Sequence, residues 1–151
     1  MTLEELEDTL PNGLHDSEVE SVFIDYLRRT ATIQMAVFVG EVDAPIDKRE
    51  AYRNASLLIA GLSFASIEPP HANYPFAEPG TLRIDACDMR KDLDADLLAK
   101  LPRGSFIRSF FVNEWNAFIH LAGSDAQILW KGETVYRTKR DHFLPGETVE
   151  S

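Results

Sequence analysis

From residue 30 to residue 39 apolar side chains occupy every second position: Ala31, Ile33, Met35, Val37 and Val39, with Thr30, Thr32, Gln34, Ala36 and Phe38 between them. A period of two belongs to a β-strand with one face on a core, and a helix cannot use it. The same period runs through the segment before it. There Val22, Ile24 and Tyr26 are expected on one face and Val19, Phe23 and Leu27 on the other. Residues 18–39 therefore read as an antiparallel hairpin turning at 27–29.

Alternation returns along the chain. Residues 51–67 read as one long strand or two short ones interrupted at Gly61, and Glu68-Pro69-Pro70 ends them. A glycine inside such a pattern marks a bulge or a bend. Residues 71–80 form a loop and residues 81–87 another strand. Residues 105–112 are rich in aromatic side chains. Trp115, Ala117, Ile119 and Leu121 then make one apolar face, and Gly123-Ser124-Asp125 turns the chain into Ala126, Ile128 and Trp130. Residues 131–137 extend this meander.

Two short segments read as helices. In residues 2–10, Thr2 and Glu5 have capping-box spacing, and Leu3, Leu6 and Leu10 share a stripe. Pro11-Asn12-Gly13 stops that helix. In residues 92–101, Leu93, Leu97, Leu98 and Leu101 share a face, with Asp92, Asp94 and Asp96 near the start, Lys100 near the end and Pro102 after it. The expected fold is mainly β: an antiparallel sandwich or half-barrel of about eight strands with two short helices, an α+β sheet covered by the second helix being the alternative. At 151 residues the chain fits one domain, 1–151, with 139–151 expected as a frayed tail.

The net charge of −10 is unevenly placed. Residues 1–25 hold Glu4, Glu5, Glu7, Asp8, Asp16, Glu18, Glu20 and Asp25 and no Lys or Arg, leaving 17 acids against 15 bases in the rest. Such a field repels phosphate backbones and anionic lipid, so the expected partner is a basic protein, with no nucleic acid and no membrane. The first residues are acidic where a signal peptide is basic, and Cys87 is the single cysteine, so a cytoplasmic location is expected. The expected binding surface comprises Glu4, Glu5, Glu7, Asp8 and Asp16, with the leucine stripe of the first helix packed inward and its acids outward.

Chemistry-bearing residues are few. His15-Asp16 invites comparison with metal-dependent phosphohydrolases that carry a His-Asp dipeptide, but those are all-helical, and this dipeptide leads into a strand. His15 and Asp16 read instead as a structural turn, Asp16 accepting backbone N–H bonds and His15 fixing the strand entry. His15, His71, His120 and His142 lack metal-ligand spacing, so no metal or cofactor is expected. Asp85 and Asp88 flank Cys87, the opposite of what activates a thiol. Phe106, Arg108, Phe110 and Phe111 loosely match a nucleic-acid face, yet Arg108 is the only base there and core is the expected role. Phosphate-binding glycine loops and the nucleophile elbow are missing, so no enzyme is expected. An enzyme reading would use His15, Asp16, Asp85 and His120, which nothing in the sequence brings together. A small-molecule reading would use a cavity lined by Trp115, Trp130 and the phenylalanines.

Residues 10–25, with Gly13-Leu14-His15-Asp16 before a strand ending in Asp25, resemble the opening of a family of small, uncharacterised bacterial β-domains. Tyr52-Arg53 before an apolar strand, followed by Glu68-Pro69-Pro70, is similar to the middle of such domains. Some of them resemble immunity proteins of polymorphic toxin systems. The resemblance implies a β fold more than a function; the role it suggests is that of a non-catalytic, protein-binding immunity-type inhibitor, and it supplies no catalytic residues.

Overall fold

The computed structural model describes residues 1–41, 43–78, 80–88 and 95–137. Thr2 caps α1 (Leu3–Asp8), its hydroxyl accepting from the Glu5 N–H at 3.1 Å. The strands follow as β1 (Pro11–Leu14), β2 (Glu18–Asp25), β3 (Thr30–Phe38), β4 (Ala51–Ala60), β5 (Phe64–Ile67) and β6 (Leu82–Asp88). After α2 (Ala95–Ala99) come β7 (Phe106–Val112), β8 (Ala117–Gly123), β9 (Asp125–Trp130) and β10 (Val135–Tyr136). The expected 92–101 helix thus lies partly outside the described residues, as do the 139–151 tail and His142. No described helix is long and apolar enough to cross a membrane.

Among the described residues nine strands form one antiparallel sheet in the order β10-β4-β3-β2-β6-β7-β8-β5, with β9 also on β4. Among the described residues it does not close into a barrel. β9 and β10 share one edge of β4, the first beside Ala55–Ala60 and the second beside Ala51 and Tyr52. β6 joins the two halves: Leu82 and Arg83 pair with β2, and the strand pairs with β7 from Ile84 onward. The expected fold class therefore holds. One core draws on both halves and on α1, with Leu3, Ile33, Met35, Leu57, Ile59, Ile84, Phe110, Ile119 and Leu121 all buried. Burying such side chains contributes about 1.5–3 kcal/mol each before the cost of ordering the chain.

Gly61 makes the bend between β4 and β5. Its φ is +59°, and a Cβ there would collide with Ser124 Oγ, so a left-handed residue without a side chain is needed. The chain passes between the halves a second time at Ser124, whose N–H donates to the Ala60 carbonyl at 2.9 Å.

Two expectations of strand detail are corrected. Val19 does not share a face with Phe23 and Leu27. The β2–β3 register shifts between Val19 and Ser21, and this bulge turns Val19 inward with Val22 and Ile24 while Phe23 and Leu27 face solvent. The strand after Gly123-Ser124-Asp125 also does not return along β8; it pairs with β4.

Candidate functional site

The segment after α1 runs as a ridge between two grooves. A groove of about 640 Å³ is lined by Glu7, Asp8, residues 10–15, Asp85 and Arg108. A second, of about 710 Å³, is lined by Pro11, Asn12, His15, Asp16, Phe38, Gly40, Glu41, Asp43 and Arg49. His15 borders both.

The ridge is held by backbone bonds. His15 N–H donates to the Asn12 carbonyl at 3.1 Å and Ser17 N–H to the Leu14 carbonyl at 3.2 Å. Asp16 has φ +65°, a conformation Asp tolerates better than most residues. Its N–H donates to the Ile84 carbonyl and Ile84 N–H to the Ser17 carbonyl, each at 2.8 Å. Buried Ser17 accepts from Phe38 N–H at 3.1 Å through its hydroxyl, which fixes the ridge to β3 as well.

These bonds bring together residues far apart in sequence. His15 Nδ1 lies 3.0 Å from Asp16 Oδ2, and Nε2 lies 3.6 Å from Asp85 Oδ1. Asp85 falls where the β6–β7 register shifts, between Ile84 and Ala86, and such an irregularity re-aims a side chain. Three of the four residues an enzyme reading would use are thus neighbours, and His120 is not among them. The imidazole is half exposed, so its contacts with carboxylates are surface ion pairs when it is protonated, worth about 0–1 kcal/mol each.

The turn differs in detail from expectation. The Asp16 carboxylate accepts from the Asn12 side-chain amide at 3.4 Å, and the backbone link runs through the Asp16 N–H. His15 stands at the surface.

The acidic surface is smaller than expected. Glu4, Glu5 and Asp8 are exposed, but Glu7 faces inward and is only 7 % exposed. Arg108 on β7 donates to Glu7 Oε2 through Nε at 3.0 Å and through Nη2. Desolvated carboxylates need such a partner. Glu7 therefore ties α1 to the sheet, and Glu18 is likewise engaged, accepting from Arg137 Nη1 at 2.6 Å. Around the ridge the carboxylates of Asp8, Asp16, Glu41, Asp43 and Asp85 remain, and Arg49 is the exposed base among the lining residues.

His120 sits in another arrangement that the sequence reading missed. Its Nδ1 is 2.7 Å from Ser109 Oγ and its Nε2 is 2.8 Å from Glu68 Oε2. The order Ser–His–Glu matches an acyl-transfer relay. Ser109, however, is wholly buried and His120 nearly so, which closes the hydroxyl to a substrate. Ser109 and His120 are cross-strand partners on β7 and β8, and Glu68 Oε1 also accepts from the Phe118 N–H at 3.1 Å. The chain of bonds fastens the end of β5 to β8.

The remaining sequence candidates lie apart. Phe110 is in the core, with Phe106 packed against it. Trp115 stands edge-on to Tyr74 at 6.4 Å, and Arg53 lies over the Trp130 ring at 4.9 Å; neither indole lines these two grooves. His71 Nδ1 accepts from the Asn73 N–H at 3.2 Å. The side chain of Cys87 lies outside the described residues. Among the described residues no group of three His, Cys, Asp or Glu is placed to hold a metal ion.

Comparison of the chain with family models, with curated proteins and with solved structures returned no significant match.

Proposed function

We propose that this chain is a non-catalytic protein-binding domain that docks a basic protein on the face around His15, acting in the cytoplasm as an immunity-type inhibitor of a toxin. The observation that carries the reading is the gathering of Asp8, Asp16, Glu41, Asp43 and Asp85 along two grooves that meet at one half-exposed imidazole. Exposed Glu4 and Glu5 extend the same charge along α1. A one-signed rim of this kind accelerates encounter with a basic surface and repels an acidic one. The inhibitor role is supported by the resemblance of Gly13-Leu14-His15-Asp16 and its surroundings to immunity-like β-domains.

The test uses a basic partner captured by the purified chain and its association rate over a range of salt concentrations. A variant carrying Glu4→Gln, Glu5→Gln and Asp8→Asn, with Glu7 left in place, is compared with the parent. The reading expects slower association and a shallower salt dependence in the variant. Superimposable curves at every salt concentration overturn it.

A further inference from the structure

Beside the candidate site lies a pocket of a different character. It has a volume of about 320 Å³ and is lined by Asp16, Phe38, Arg49, Glu50, Tyr52 and Arg83. It adjoins the larger groove, sharing Asp16, Phe38 and Arg49 with it. Phe38 and Tyr52 meet edge to face with centroids 5.4 Å apart and form its apolar wall. The Tyr52 hydroxyl donates to Glu50 Oε1 at 3.2 Å. Arg49 donates through Nε to the Ala44 carbonyl at 2.9 Å.

Arg83 is the informative member. Its backbone N–H is bonded to Glu114, but its side-chain Nε is buried with no hydrogen-bond partner among the described residues. A guanidinium presents donors in a planar fork that matches a carboxylate or phosphate, and leaving a buried charged donor unpaired is costly. A second guanidinium, Arg49, lines the same pocket.

The other lining residues narrow the choice of anion. Asp16 and Glu50 place two negative charges on the walls, which disfavours a phosphate dianion. A neutral or purely cationic molecule brings no negative charge to the Arg83 guanidinium. A molecule carrying one carboxylate and one ammonium matches both signs. The volume is at the small end of the range for ligand pockets, about 300–1,000 Å³. The aromatic wall suits an apolar side chain.

We propose that this pocket binds a zwitterionic α-amino acid, its carboxylate on Arg83 and Arg49 and its ammonium toward Asp16. The proposal goes beyond protein docking and does not depend on it.

The experiment titrates the full chain with L-phenylalanine, and separately with inorganic phosphate, while following the arginine Nε–H resonances by NMR. The Arg83 Nε–H resonance should shift saturably with the amino acid. Calorimetry should show Arg83→Met weakening binding by about tenfold or more, the loss expected for a charge-assisted hydrogen bond. Arg103→Met, at an exposed position outside the pocket, should bind as the parent does. An Arg83 resonance that stays fixed in the parent overturns the proposal even if Arg83→Met fails to fold. So does a folded Arg83→Met that binds phenylalanine like the parent, or a larger response to phosphate than to the amino acid.

Discussion

Arg108, in the middle of β7, closes on a single carboxylate oxygen of Glu7, on the inward side of α1. An acid in the most negatively charged part of the chain thus fastens the first helix to the core and adds nothing to the outer field. Glu7→Ala leaves the mostly buried Arg108 charge without its partner and should destabilise the fold by about 3 kcal/mol. Glu4→Ala, at an exposed position, should stay within about 0.5 kcal/mol of the parent. Urea unfolding measures both, and equal midpoints would remove Glu7 from its anchoring role.

His15→Ala should change stability by less than about 1 kcal/mol, because a half-exposed imidazole makes only surface contacts with Asp16 and Asp85. On the proposed reading, its effect belongs to binding at the face it occupies. A large drop in melting temperature would return His15 to a structural role.

Gly61→Ala should cost about 2 kcal/mol or more, since the substitution adds left-handed strain to a collision with Ser124. Gly132 provides the comparison: its φ is also positive, +69°, but open space surrounds it. Gly132→Ala should show the strain alone. If the two variants melt together, the close approach at Gly61 is unimportant.

The phenol of Tyr52 is pushed up to about 12, by burial first and by the charges of Glu50 and Glu18 after it, with Arg83 pulling the other way. An unfolded tyrosine ionises near pH 10. The folded state therefore holds this proton while the unfolded state releases it. The stability tied to Tyr52 is fully present below pH 10 and is lost as the pH rises toward about 12. Tyr52→Phe should flatten the alkaline arm of the stability curve. Spectroscopic titration should show one tyrosine ionising well after the first; a common midpoint for all four would contradict this assignment.

The strands were legible because alternation survives wherever one face is buried, as in Ala31, Ile33, Met35 and Val37. The bulge between Val19 and Ser21 was not, since one extra residue changes every later facing without changing composition. The pairing of β9 with β4 is equally silent: alternation identifies a strand and leaves its neighbour open. Glu7 did leave a signal. Leu3, Leu6, Glu7 and Leu10 have the i, i+3, i+4, i+7 spacing of a single helix face, so the acid lies within the apolar stripe. Its partner Arg108 was beyond reach, as was the meeting of His15 with Asp85, which depends on the backbone bonds between residues 16–17 and Ile84.

The chain passes from one half of the sheet to the other at Gly61, divides β6 between them, and passes back at Ser124. One half is inserted into the other: β5 to β8 follow one another between the two crossings, while the half built on β4 is completed by β9 and β10 from beyond Ser124. A cut in the 71–78 loop leaves an N-terminal piece with β5 parted from β8, its neighbour in the sheet, and a C-terminal piece with β9 parted from β4. Expressed alone, each piece lacks the strand that covers its open edge; expressed together, the two have reason to find each other. Division of this protein is therefore a problem of reassembly, because no single cut along the sequence separates one half of the sheet from the other.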